Sequence, residues 1–163
     1  MNRLFIDPSI RSMGVAYWNE VDWRYECSPT ITTLIKTVGH GKWDIRAWKA
    51  CNKLFDFLRE NDLTPDKIYC ELPTTTFSVF SGSTAIANDS ITKLATLFGM
   101  LSSSARSEGM KFVPVPIALW KGQLPKNVVI QRVKSFLGEK DCKNFKADIW
   151  DAVGMGLYWM GRL

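Results

Sequence analysis

The feature that most restricts how this chain can fold is the order in which its apolar runs arrive. Three runs rich in β-branched and aromatic residues come first, Arg3–Ile6, Met13–Trp18 and Ile31–Thr37, with turn-forming residues between them. That pattern predicts a three-stranded antiparallel meander. From Lys42 to Asn61 the spacing changes, with Trp43, Ala47, Ala50, Leu54, Phe57 and Leu58 at helical intervals before Asp-Leu-Thr-Pro closes the element. Strands and helices then alternate: a short strand at Ile68–Glu71, a helix at Ser90–Ser107, a strand at Phe112–Val115, a basic amphipathic helix at Lys126–Leu137 and a terminal helix at Asn144–Met160. In the first of these helices Ile91, Leu94, Ala95, Phe98, Leu101 and Ala105 are expected to form the core stripe. A meander followed by alternation implies an α/β chain with a mixed sheet and helices packed against it. No repeat or low-complexity tail interrupts it, and residues 1–163 read as a single domain.

Several carboxylates break the local rules. Asp7 ends the first apolar strand and enters Asp-Pro-Ser, which alone is ordinary turn chemistry. Glu71 repeats the situation, since an apolar strand runs into an acid and then a Pro. On a helical wheel Asp148 falls between Phe145, Ala152, Met155 and Trp159, so an acid is expected on the buried face, with Asp151 one turn on and about 60° around. Such acids need cationic partners, for which Lys146 and Arg162 are the nearest in sequence, or a metal. A cluster of carboxylates repels itself, and divalent metal answers that repulsion. Hard Mg²⁺ or Mn²⁺ suits carboxylates, in keeping with a single His and no paired-Cys motif. His40, between two glycines, reads as a turn residue.

Composition narrows the partners. Twenty-one Lys and Arg against 16 Asp and Glu give a formal charge of +5, and the aromatic fraction is 12% with seven Trp, a balance suited to a polyanion. Cys27, Cys51, Cys70 and Cys142 show neither zinc nor disulfide spacing, so reduced thiols in an intracellular protein are expected. The MNRLFID start does not read as a targeting segment, and no window approaches about 18 consecutive apolar residues. The expected location is the cytoplasm, that of a host cell if phage-encoded, with an organelle matrix as the alternative.

Taken in order, the strand followed by Asp-Pro-Ser-x-x-x-x-Gly, the strand-terminal Glu71 and the Asp-x-x-Asp-Ala of the last helix resemble the RuvC-type Holliday junction resolvases of the RNase H-like superfamily. The likeness runs over nearly the whole chain. It implies a five-stranded mixed sheet with helices on both faces, and a metal-binding catalytic set of Asp7, Glu71, Asp148 and Asp151 holding two Mg²⁺ or Mn²⁺ ions. It further implies a homodimer that nicks four-way DNA junctions in pairs. The segment "WKGQLPKNVVIQRV" resembles the family's basic turn and helix, so Lys121, Lys126, Arg132 and Lys134 are expected on phosphates, as against a merely solvated basic face. Lys146 beside the acids is a further phosphate candidate. The chain departs from the family where Leu-Pro follows Glu71 and the next loop is longer, which leaves Phe77 and Phe80 as candidate wedges into the junction. Leu97 and Met100 are expected outside the core stripe, on a surface open to a second subunit. Other RNase H-like nucleases, acting on RNA/DNA hybrids or as transposase-like cores, and a non-catalytic binder of branched DNA remain alternatives. A sugar-kinase-like phosphotransferase is excluded by the want of room for a repeated half.

Overall fold

The computed structural model of the chain describes residues 1–26, 28–37, 41–72 and 84–163. Five strands, β1 (Arg3–Asp7), β2 (Ser12–Trp18), β3 (Ile31–Lys36), β4 (Lys67–Leu72) and β5 (Lys111–Pro116), form one sheet in the order β3-β2-β1-β4-β5. The first three pair antiparallel, and β4 and β5 run parallel to β1 and to each other. This is the mixed sheet expected from the order of apolar runs. Pro114 and Pro116 lie in β5, an edge strand, where a missing N–H costs no ladder bond on the open side.

Helices cover both faces. Leu4, Ile6, Met13 and Val15 pack against α1 (Trp43–Glu60) and α2 (Thr84–Ser107). Phe5, Ala16, Trp18 and Tyr69 face the opposite way, toward α4 (Lys126–Leu137) and α5 (Ala147–Trp159). A strand covered on both sides must be apolar at every position, which is why Leu-Phe-Ile is unbroken in β1. On the second face Phe5 stacks on Tyr69 with ring centroids 4.7 Å apart and meets Trp18 edge-on at 5.4 Å. No helix among the described residues is long and apolar enough to cross a membrane.

Three expectations are corrected. The second helix begins at Thr84 rather than Ser90, and its inward stripe is Leu97, Leu101 and Ala105, whereas Ala95 is exposed. Leu97 is fully buried and therefore offers no surface to a partner, while Met100 is half-buried. The apolar residues of α2 are too numerous for one stripe, so periodicity alone admits a rotation of the helix. The last helix begins at Ala147, not Asn144. Two short elements were also unforeseen, a π-helical turn at Asp22–Glu26 and α3 (Ile117–Trp120).

Helix α5 is buried nearly all round, from Ile149 to Leu157, because it lies between the sheet and α4. Glycines permit this depth. A Cβ on Gly14 of β2 would sit 2.0 Å from the carbonyl oxygen of Asp148, and one on Gly156 2.4 Å from the Trp18 ring. Gly14→Ala is therefore expected to cost about 3 kcal/mol or more, lowering Tm by about 10 °C, since backbone must move. Gly99→Ala in α2, with open space around it, should raise stability by about 0.5–1 kcal/mol. Thermal melts of the two variants check the contrast.

Candidate active site

Strand register brings the acids together. Ile6 pairs with Cys70 across the parallel β1 and β4, so the next residues, Asp7 and Glu71, stand side by side at the ends of the two strands. Asp7 is also the register partner of Gly14, over which the first turn of α5 presses with Asp148. Asp148 in that turn benefits from the positive end of the helix dipole. Asp151, one turn further, is the buried charged side chain among the described residues.

The wheel placed Asp148 on the buried face, yet Asp148 is half-exposed at the open end of α5 and Asp151 is the deeper of the two. The wheel assumes one buried face, and this helix has little else. Nor are Lys146 and Arg162 the partners of Asp151. Its Oδ1 takes the Lys121 ammonium at 3.0 Å and its Oδ2 that of Lys126 at 2.5 Å. Lys121 follows α3 and Lys126 opens α4, so two elements distant in sequence close on one carboxylate. Glu71 is held differently, accepting a hydrogen bond from Trp120 Nε1 at 3.1 Å. The role of Trp120 was missed. Its signal is an aromatic with a polar N–H immediately before the basic turn, buried with that donor needing an acceptor.

Electrostatics marks Asp7 as the centre. Burial raises its carboxyl well above the ordinary range, and the charges of Glu71, Asp151 and Asp148 push it further, against the opposing pull of Lys126. Burial likewise raises Glu71, as does Asp151, while the Trp120 hydrogen bond and the two lysines act the other way. Burial works against the charge on Lys126, but its hydrogen bond to Asp151 and the attraction of Asp151, Asp7 and Asp148 prevail and raise it.

The donor chemistry, four carboxylates with one forced toward its neutral form by burial and then by the charges of the others, fits a hard divalent cation. Among the described residues, however, no three acids converge on a point as ligands of one ion. Asp151 turns to two lysines and Glu71 to Trp120.

The basic helix divides its charges. Arg132 shares a groove of about 490 Å³ with Gln131, Ser135, Phe136 and Arg162, whereas Lys134 lies toward Glu139 at 3.9 Å and over the Trp150 ring at 6.0 Å. Lys146 is exposed just before α5. Phe77, Phe80 and His40 lie outside the described residues.

Because Asp7 and Glu71 hold protons more tightly in the folded than in the unfolded chain, their contribution to stability is fully present below the unfolded carboxylate range near pH ~4 and is lost as pH rises through their raised native values. Chelator-treated protein should therefore show Tm falling over that interval relative to Asp7→Asn, whose Tm at pH 8 should equal or exceed that of the wild type. Parallel Tm–pH curves for the two proteins would contradict this.

No family model and no curated protein sequence matches the chain. Solved structures do. RuvC of Thermus thermophilus in complex with Holliday junction substrate superposes with a TM-score of 0.69 at 17% identity, over 97% of this chain and 91% of that one. The yeast mitochondrial Holliday junction resolvase Ydc2 gives 0.61 at 13% identity, over 97% of this chain and 77% of its own. The fowlpox virus Holliday junction resolvase gives 0.54 at 14% identity, over 100% of both. The chain has the RuvC-type, RNase H-like fold.

Proposed function

We propose that this protein is a divalent-metal-dependent endonuclease that resolves four-way DNA junctions. The observation carrying this reading is the closeness of Asp7, Glu71, Asp148 and Asp151 at the ends of the central strands β1 and β4, where burial first and then the charges of the other three acids raise Asp7. The likeness of the whole chain to Holliday junction resolvases, one of them with junction substrate, supports it.

In this reading Asp7 would be a ligand common to two Mg²⁺ or Mn²⁺ ions, and Glu71 with Asp148 or Asp151 would supply the other carboxylates. The ions, when bound, activate a water and neutralise charge at the scissile phosphate. The chain's own residues do the rest. Trp120 orients Glu71 through its indole N–H, and its burial keeps that carboxylate from rotating freely. Lys121 and Lys126 offset the charge of Asp151 as its ion-pair partners, and each ammonium keeps further N–H donors that a phosphate could take up. Arg132 is a phosphate contact further along α4, positioning DNA without reading bases. Lys134, set toward Glu139 and Trp150, is a weaker contact in the same scheme.

Two symmetric nicks need two active sites, which a C2 dimer supplies. The surface we assign to the second copy is the apolar groove of Ile45, Trp48 and Met100, in which Trp48 is 55% exposed. Phe77 and Phe80 keep the wedge role as a proposal.

Incubation with a synthetic four-way junction, with and without Mg²⁺, is the direct test. Paired nicks are expected with metal alone, and more slowly or not at all on plain duplex or RNA/DNA hybrid. Asp7→Asn and Glu71→Gln should lower the cleavage rate by at least about a hundredfold while junction binding survives. Near-normal nicking by either variant at saturating Mg²⁺ would remove that residue from the site. Trp48→Lys should give a folded monomer by light scattering that has lost paired nicking, and an unchanged dimer would move the interface elsewhere.

A further inference from the structure

Between the turn that follows Asp7 and the helices α1 and α2, which cover the sheet face opposite Lys121 and Lys126, lies a cleft of about 280 Å³ lined by Ser9, Ile10, Arg11, Arg46, Lys93 and Leu94. Every polar side chain in that lining is a hydrogen-bond donor, and three carry positive charge. None is a carboxylate. The Nε of Arg46, on the first turns of α1, is buried and has no hydrogen-bond partner among the described residues. Leaving a charged donor buried and unsatisfied is costly, so this Nε calls for an acceptor such as an anionic ligand or a water. Ser9 Oγ already accepts the backbone N–H groups of Arg11 and Ser12, each at 3.3 Å, so its own hydroxyl hydrogen is directed elsewhere. The first turn of α1 adds the positive end of a helix dipole nearby.

Position supplies the rest. Ser9 is two residues beyond Asp7, within about 7 Å of chain. An anion in the cleft and a phosphate held at Asp7 are thus close enough to belong to one strand. The guanidinium of Arg46 is planar and forked, the geometry that matches a phosphodiester rather than a point charge.

We infer that this cleft is a second phosphodiester site, holding a backbone phosphate of the cleaved strand adjacent to the scissile one. The inference rests on the nuclease reading and deepens it, because it fixes on which side of Asp7 the strand runs. Lys121 and Lys126 flank the scissile phosphate on one side, and Arg11 and Arg46 grip its neighbour on the other. The strand is thus held at two points with the reacting bond between them, which sets geometry for the attack.

The test is a methylphosphonate scan. Four-way junctions are made with one neutral linkage at a time within three nucleotides of the cut, and binding is measured in EDTA for wild type, Arg46→Gln and Arg11→Gln. One position is expected to weaken wild-type binding about tenfold. Arg46→Gln should lose about the same on the unmodified junction, flatten its log–log salt slope by roughly 0.9 and show no further loss at that one position. If the substitution prevents folding, the same cycle with Arg11→Gln decides, and the wild-type scan requires no variant. Multiplying losses, or a scan with no sensitive position, would overturn the cleft assignment. Wild-type protein that binds junctions but never nicks them would overturn the nuclease reading and leave the scan to judge the cleft. Normal nicking with an insensitive scan would remove the cleft alone.

Discussion

Repulsion among four carboxylates is the constraint around which the rest of this structure is arranged. Parallel pairing of β1 and β4 sets Asp7 beside Glu71, and close seating of α5 on Gly14 adds Asp148 and Asp151. Such a cluster is self-destabilising, and at Asp7 burial first and then the neighbouring acids drive the carboxyl well above the ordinary range. Two lysines relieve part of it. Both go to Asp151, the deepest of the four, where an unpaired charge would be least tolerable. The imbalance that remains is what a bound cation would relieve.

The fold's strong packing makes this possible. Strand β1 lies at the centre of the sheet and is buried on both faces, anchored by Phe5 among Trp18, Trp23 and Tyr69 on one side and by Leu4 and Ile6 on the other. Each fully buried side chain of that size contributes roughly 2–3 kcal/mol. A strand held so firmly can carry a strained carboxylate at its end, and a helix seated against backbone through Gly14 cannot drift away from it. Stability stored in the two cores is offset locally at the sheet's edge, the pattern expected where a site is built for chemistry rather than for its own cohesion.

Around that edge the cations are unequally placed. Lys121 and Lys126 face inward to Asp151, Arg132 and Arg162 share an outer groove, and Arg11, Arg46 and Lys93 line a cleft on the far side of Asp7. A net charge of +5 alone would describe a diffuse attraction for polyanions. Under the proposed junction-resolving function, these three settings would hold a nucleic-acid backbone at separate points around the acids.

What the sequence determined by itself is what repeats locally. Apolar runs rich in β-branched and aromatic residues marked the strands, a change to helical spacing marked α1 and α4, and acids at strand ends followed by Pro marked Asp7 and Glu71, because each signal is carried by residues near one another in the chain. Tertiary structure decided what depends on distant neighbours. Helix α2 has apolar residues for more than one stripe, so only packing against the sheet selected Leu97 over Ala95. Helix α5 is surrounded, so the wheel could not rank Asp148 against Asp151. The partners of Asp151 lie 30 and 25 residues away, and Trp120 reaches Glu71 across 49. Periodicity reports how many faces of an element are covered; which charge meets which is settled only when elements far apart in sequence share the same few ångströms and their desolvation must be balanced together.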